Sequence, residues 1–385
     1  MNIVHIVHGK ANPNGHNGIS RVVYFLNKHE KMLGHNSQIW AVVDGQKKHE
    51  TFQRDEFVTV EMFPRVNIIN HNSGESICSY IKKNKEKIDI IHFHMIWFYD
   101  KNIIAKTVAD CDIPFVITTH GTYSKPHAYT GKRIIARKLY EVDYLNMATE
   151  IHALQPDESY GNYKYGVTVP QFILPNGIEQ EEIPQIRKND FKKRFADKIV
   201  LMWIGVFRGD KNLDQLLKAL SLLPKQIREE IVLVLAGPDN KGNKGKLQNL
   251  AQKLKIEEQV IFKDAVYNQE KYDLLECADV YIMPSLSEGM SMAILDALAC
   301  GKSCILTKQC GLEYYLGENF FFMCEPYAQD IKRAICEMYE KRELLSDMGK
   351  RSLELANTVF SWNSIAVKMI ENYERILEEK NGLES

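Results

Sequence analysis

The stretch ADVYIMPSLSEGMSMAILDALACGKSCILT, residues 278–307, runs from one apolar strand through a turn and a helix into the next strand. DVYIMP and SCILT are short, apolar and β-branched, while Met292, Ile294, Leu295 and Leu298 recur at the spacing of one helix face. Strand, helix and strand in that order make a parallel pair with its helix laid on the sheet. Two carboxylates flank the turn. Glu288 and Asp296 are eight residues apart, a little over two helical turns, so on one helix they share roughly one face. Glu288, however, lies before the helix and with Gly289 reads as a turn at the strand's carboxyl end. There the amides of Met290, Ser291 and Met292 have no preceding turn to bond and aim outward, which attracts an anion. The same residues also fit a plain capped helix, with Ser287 as N-cap and the apolar side chains on a sheet.

The alternation extends over the whole chain. NIVHIVH, SQIWAVV, DIIHFH, FVITTH, EIHAL and QFILP read as strands of a first half, with helices at about residues 18–33, 73–86, 100–110 and 131–147. After the polar stretch EQEEIPQIRKNDFKKRFADK the pattern restarts with KIVLMWIG, IVLVLAG, QVIFKD, DVYIMP, SCILT and NFFFM. Two Rossmann-like halves joined near residues 176–198 are the simplest architecture. A long amphipathic segment, FSWNSIAVKMIENYERIL, ends the chain and needs a surface to cover.

Composition narrows the classes. At 385 residues and 45% hydrophobic, the chain fits two domains, each with its own core. Forty-nine basic against 50 acidic residues leave a net charge of -1, which gives no case for a nucleic-acid binder working by bulk charge. No apolar run reaches membrane-spanning length and MNIVHIVHGK lacks the features of a signal peptide, so a cytoplasmic location is expected. The eight cysteines lie mostly within apolar patterns, without paired CxxC spacing or a finger-like histidine partner; they read as reduced and buried, with no metal.

In an open α/β sheet, ligands collect at the carboxyl ends of strands. After the first strand comes HGKANPNGHNGISRVV, where Gly15 and Gly18 precede a helix near Ile19 but do not fall as G-x-G-x-x-G. DIIHFH places His92 and His94 on one face, as a metal pair without a third ligand or as hydrogen-bonded histidines at the strand end. FVITTHGTY ends on His120 before Gly121, at a turn where chemistry is done. In WIGVFRGDKNLDQLLKAL, Arg208 and Lys211 sit at a helix start, where cations oppose the macrodipole unless an anion arrives. A diphosphate satisfies both, and Asp210 offsets them in part.

Gly205-x5-Lys211-Asn212 before a leucine helix, then VLAGPD, residues 278–307, and an FSW-initiated terminal helix together resemble the retaining glycosyltransferases of family 4. The resemblance implies the GT-B fold: two Rossmann-like domains facing a cleft, with the C-terminal helix crossing back to the first. In these terms residues 1–180 form the acceptor-side domain, 198–360 the nucleotide-sugar donor domain and 361–385 the returning helix. The resemblance also implies that Arg208 and Lys211 bind the donor diphosphate, assisted by amides from Met290 to Met292, and that Glu288, with Gly289, lies at the donor sugar. Asp296 matches a ribose ligand, His120 a position beside the transferred sugar, and Gly18 the glycine loop near the donor phosphates. The family usually has Arg directly after Gly205, glutamate at the position of Asp296, and often proline at that of Ser303; this chain has Val206, aspartate and serine there.

The expected activity is therefore transfer of a sugar from a nucleotide diphosphate to a hydroxyl acceptor with retention, in polysaccharide, O-antigen, capsule or glycolipid synthesis. Glu288, His120, Arg208 and Lys211 are the candidate catalytic group, and no cofactor or metal is expected. The donor base is left open among UDP, GDP and ADP. Two alternatives stand: a non-hydrolysing nucleotide-sugar epimerase, and a non-catalytic nucleotide-sugar-binding subunit. Lys132, Arg133, Arg137 and Lys138 beside Ile134, Ile135 and Leu139 form a basic amphipathic pattern, consistent with peripheral contact with an anionic membrane and a lipid-linked saccharide acceptor.

Overall fold

The computed structural model describes residues 1–12, 18–95, 98–122, 140–180, 183, 192–195, 197–316 and 321–383. Gly15, the basic pattern at 132–139 and most of the polar stretch at 181–191 lie outside the described residues. The chain forms two units: Met1–Gly177 with Trp362–Ser385, and Ile178–Ser361.

In the first unit β1 (Asn2–His8), β2 (Asn36–Val42), β3 (Glu50–Gln53), β4 (Thr59–Phe63), β5 (Ile90–Phe93), β6 (Phe115–Thr118), β7 (Glu150–Ala153) and β8 (Gln171–Ile173) make one sheet in the order β3-β4-β2-β1-β5-β6-β7-β8. All neighbours are parallel except β3 and β4, an antiparallel pair at the edge. The strand residues of β5, β6 and β7 are all buried, as strands covered on both faces must be. The helix Gly18–Met32 packs on one side of this sheet, and the terminal helix Trp362–Leu383 packs against it. The first buried aromatic of that terminal helix is Trp362, whose ring fills the space where a Cβ on Gly177 would fall, at 2.5 Å.

The second unit holds β9 (Ile199–Ile204), β10 (Ile231–Ala236), β11 (Val260–Lys263), β12 (Val280–Met283), β13 (Ser303–Thr307) and β14 (Phe322–Cys324), all parallel, in the order β11-β10-β9-β12-β13-β14. Leu213, Leu216, Leu217 and Leu220, spaced three, one and three residues apart, form the buried face of the helix Leu213–Ser221. The strand order reverses between β1 and β5 in the first sheet and between β9 and β12 in the second. At each reversal the flanking helices leave on opposite faces and open a crevice beyond the strand ends.

Three local expectations change. The β3–β4 hairpin has no counterpart among the expected strands: every residue of β3 is exposed and ETFQ carries no apolar run, and β4 is a short TVEMF in which Val60, Met62 and Phe63 are buried between polar residues. The helix expected over 73–86 is shorter, Ile77–Asn84, and is capped by Ser76, whose hydroxyl accepts from the Cys78 N–H at 3.1 Å. Of the helix expected over 131–147, the described part is Val142–Asn146.

Candidate active site

The crevice of the second sheet is built from the loops after β9 and β12. β9 and β10 stay paired past their ends, since Gly205 N–H donates to the Ala236 carbonyl (3.0 Å) and Phe207 N–H to that of Pro238 (3.0 Å). This requires glycine at 237: a Cβ there meets the Gly205 carbonyl oxygen at 1.7 Å. Beyond Gly205 the chain makes a single turn, Gly209–Lys211, and Asn212 adopts a left-handed conformation (φ 59°). Asn212 Nδ2 donates to the carbonyls of Pro284 (3.0 Å) and Pro326 (2.9 Å), and Leu286 N–H donates to the Asp210 carbonyl (2.9 Å). The loops after β9 and β12 are thereby stitched into one surface.

On that surface Lys211 Nζ lies 2.5 Å from Glu288 Oε1, which also accepts from Ser285 Oγ at 2.6 Å. Gln309 contributes a carbonyl to the Glu288 N–H at 3.0 Å. Arg208 is exposed and forms a fork with Asp210, Nε to Oδ1 at 3.0 Å and Nη2 to Oδ2 at 2.7 Å. Asp210 thus pairs with Arg208 and leaves Lys211 to Glu288. The helix begins at Met292, with Ser291 rather than Ser287 as N-cap and with no side-chain cap bond. Met292 and Ala293 therefore start the helix with no carbonyl a turn earlier to receive their N–H groups. Gly289 and Met290 are buried in the turn; Ser291 and Met292 are half-buried.

Asp296 sits one turn into the helix, as its place in the sequence requires, and is 3% exposed. Its carboxylate accepts from Lys271 Nζ (2.6 Å) and Tyr272 OH (3.0 Å), both on the helix Asn268–Glu276. Lys271 and Tyr272 are partners that sequence reasoning missed. They lie 25 and 24 residues before Asp296, so no local spacing links them.

In the first unit Gly18 is the first residue of the helix Gly18–Met32. His120 follows β6 in the left-handed region (φ 49°), a conformation a non-glycine residue holds only when its surroundings impose it. Glu158, fully buried in the first turn of the helix Pro156–Tyr165, supplies that constraint. It accepts from Thr119 Oγ1, from Gly121 N–H and, at 2.7 Å, from Leu154 N–H, clamping the backbone on both sides of His120. The His120 ring contacts His94, Nε2 to Nδ1 at 3.2 Å. His5, His92 and His94 have ring nitrogens within 4.8 Å of one another, so His5 adds the third nitrogen that DIIHFH lacks. Their ring nitrogens are engaged by protein groups: His5 by Glu30 and His94, His92 by Tyr373 and Thr118, His94 by His5 and His120. The hydrogen-bonded alternative for His92 and His94 is the one their surroundings fill. Burial, with smaller contributions from neighbouring imidazoles, holds His92 and His94 far below the usual histidine pKa. Burial and His152 bring His120 down to about 3, and burial brings His152 to about 4. Nearby at the β1 end, Arg65 bridges Asp100 (2.6 Å) and Asp44 (2.9 Å), with its Nη1 3.0 Å from His8 Nε2.

Comparisons with known proteins agree along the chain. Residues 16–182 match the family described as Glycosyltransferase Family 4, and residues 185–354 the family described as Glycosyl transferases group 1. An uncharacterized glycosyltransferase of Methanocaldococcus jannaschii is 26% identical over 54% of this chain and 52% of its own length. The matches span about half the length of the first curated relatives. Among solved structures, sucrose-phosphate synthase from Thermosynechococcus elongatus superposes with a TM-score of 0.77 at 16% identity, covering 98% of this chain and 100% of that one. The HepE protein of Anabaena in complex with UDP and glucose gives 0.75 at 15% identity, covering 97% and 100%. At such identities the likeness carries the fold, which is GT-B. Among the described residues no helix is long and apolar enough to cross a membrane.

Proposed function

The chain belongs to the family 4, group 1 glycosyltransferases, and from that premise we propose that it moves a sugar from a nucleotide diphosphate to a hydroxyl acceptor with retention of configuration. The observation that carries this reading is the convergence of Arg208, Lys211, Glu288 and the Met292 helix start at the β9/β12 reversal. An anionic ligand meets two cations and a helix N-terminus there.

In the proposed reaction the bond from the sugar's anomeric carbon to the diphosphate breaks as the acceptor oxygen bonds that carbon on the same face. The hydroxyl proton leaves on the diphosphate. Arg208, Lys211 and the amides at Met290 to Met292 stabilise the charge that grows on the leaving oxygen. Glu288, held by Lys211 and Ser285, orients the sugar, and His120 helps to position it. Asp296, with Lys271, stands at the nucleotide end. No cofactor or metal enters this scheme. The acceptor is proposed to be a saccharide or lipid-linked saccharide, in the assembly of polysaccharide, O-antigen, capsule or glycolipid at the inner face of the cell membrane. UDP in the structurally similar Anabaena protein puts UDP-sugars first among the donors to try.

Thermal stabilisation and turnover across UDP-, GDP- and ADP-sugars test the reading. Stabilisation by one base series, with sugar transferred to an acceptor, supports it. An epimerised nucleotide sugar formed without acceptor, or binding without turnover, contradicts it.

A further inference from the structure

Two hydrogen-bonded rows of side chains run through the first unit, and they end differently. In one row Tyr373 OH lies 2.6 Å from His92 Nδ1, and His92 Nε2 lies 2.5 Å from Thr118 Oγ1. Thr118 Oγ1 then meets His152 Nδ1 at 2.8 Å, and His152 Nε2 meets the Leu174 carbonyl at 2.8 Å. A carbonyl only accepts, so His152 carries its hydrogen on Nε2, and every donor back along the row is fixed: Thr118 donates to His152, His92 to Thr118, Tyr373 to His92. Nothing in this row can reverse.

The second row runs Ser37, Glu30, His5, His94, His120. Asn27 Nδ2 donates to Ser37 Oγ (2.7 Å), which turns the serine hydrogen onto Glu30 Oε2 (2.6 Å). His5 Nε2 meets the same carboxylate oxygen at 2.7 Å, His5 Nδ1 meets His94 Nε2 at 3.1 Å, and His94 Nδ1 meets His120 Nε2 at 3.2 Å. Glu30 and His5 are fully buried, and Glu30 Oε1 has no hydrogen-bond partner among the described residues. His120, at the other end, is half-buried.

A carboxylate at that depth with one oxygen unbonded is strongly disfavoured unless a proton or a cation neutralises it. The group beside it is His5. With one proton shared between Glu30 and His5 the pair is neutral, His5 holds a hydrogen on Nδ1, and each link donates outward. His5 donates to His94, His94 donates to His120 Nε2, and His120 is left with its hydrogen on Nδ1. Without that proton every link turns round, and His120 Nδ1 becomes a lone pair. The low pKa of His94 and His120 is consistent with one ring hydrogen on each at neutral pH, so each ring has only these two arrangements.

We propose that Glu30, acting through His5 and His94, fixes the hydrogen-bonding polarity of His120 and presents Nδ1–H as a donor to an oxygen of the transferred sugar. The three are positioning residues, and the inference rests on the proposed sugar contact of His120. The second row is the reversible one because the Glu30 carboxyl oxygen can either accept from His5 or share a proton with it; the first starts at a backbone carbonyl, which only accepts.

Glu30→Gln keeps the shape and, with its carbonyl oxygen facing Ser37, keeps both hydrogen bonds while removing the charge that retains the proton. Nitrogen-15 spectra of the histidine-labelled full chain, read at His120 without substrate, distinguish the two ring tautomers. The expected result is Nδ1–H in the wild type and Nε2–H in Glu30→Gln, with kcat for sugar transfer about tenfold lower, the size of one hydrogen bond gained in the transition state, and KM for the nucleotide sugar little changed. His94→Phe cuts the row, leaves Glu30 and His5 paired, and should give mixed tautomers at His120 with a similar loss of kcat; it carries the test if Glu30→Gln does not fold. An Nε2–H ring in the wild type, a ring unchanged in both variants, or a changed ring with unaltered kcat overturns the proposal. If the wild type turns over no nucleotide sugar, the proposed function fails, and the tautomer of His120 still decides the polarity of the row.

Discussion

Lys211 Nζ and Glu288 Oε1 lie 2.5 Å apart on loops that follow different strands, with side-chain exposures of only 11% and 9%. Each therefore neutralises the other where water cannot. Removing one partner leaves a buried uncompensated charge, so Lys211→Ala and Glu288→Ala are each expected to cost about 3–5 kcal/mol of stability in addition to transfer activity. Lys211→Met with Glu288→Leu should lose less stability than the two single changes summed, because no charge is stranded. Urea unfolding of the four proteins measures this; single variants as stable as the wild type would show that the pair is not formed.

Arg208 offers the opposite case. Its side chain is 44% exposed and pairs with Asp210 at the surface, where such a pair contributes little. Arg208→Ala is expected to change stability by less than about 0.5 kcal/mol while raising KM for the nucleotide sugar about tenfold or more, as loss of a charged phosphate contact should. Donor titration beside thermal unfolding separates the two effects, and an unchanged KM removes Arg208 from the donor site.

Gly237 tests the joint that carries the β9 loop. Alanine there puts a methyl 1.7 Å from the Gly205 carbonyl oxygen, which is backbone and has nowhere to go without unpairing β9 from β10. A loss of about 1–3 kcal/mol or more is expected from this overpacking, together with weaker donor binding. Gly209→Ala, with open space around the added carbon, serves as the control in the same loop.

The buried histidines set a pH dependence. His92, His94 and His152 have folded pKa values below the unfolded value of about 6.5, so as pH falls through 6.5 the unfolded chain binds protons that the folded chain does not. Their contribution is present above pH 6.5 or so and is lost progressively below it, with a slope of up to about 1.4 kcal/mol per pH unit for each histidine. Urea midpoints between pH 7.5 and 5 should fall accordingly, and His152→Gln should flatten part of the slope. Midpoints constant over that range would contradict neutral buried rings.

The fold was largely legible because strands buried on both faces read as uninterrupted apolar runs, as IVLMWI and IVLVLA do. The edge strand β3 was not, since an exposed strand has no core to pattern it, while β4 buries Val60, Met62 and Phe63 in a run of five residues interrupted by Thr59 and Glu61. The placement of Glu288, Lys211 and His120 was legible for a different reason: each follows an apolar run that ends as a strand, the position where an α/β sheet collects ligands. What the sequence hid are the partners. Glu30 lies near the end of a helix, His5 in the middle of a strand and Glu158 in a helix's first turn; only the strand order brings them to His94 and His120. Lys271 and Tyr272 reach Asp296 across two helices in the same way. Spacing along a chain reports faces of one element, not the contacts made between elements.

Retention separates the proposed sugar transfer from an inverting transfer and from epimerisation. Proton NMR of the reaction with an α-linked nucleotide sugar and a saccharide acceptor reads the anomeric configuration of the new bond directly. An α-linked product and release of nucleoside diphosphate are expected. A β-linked product, or a nucleotide sugar epimerised without any acceptor, would contradict the proposed retaining transfer.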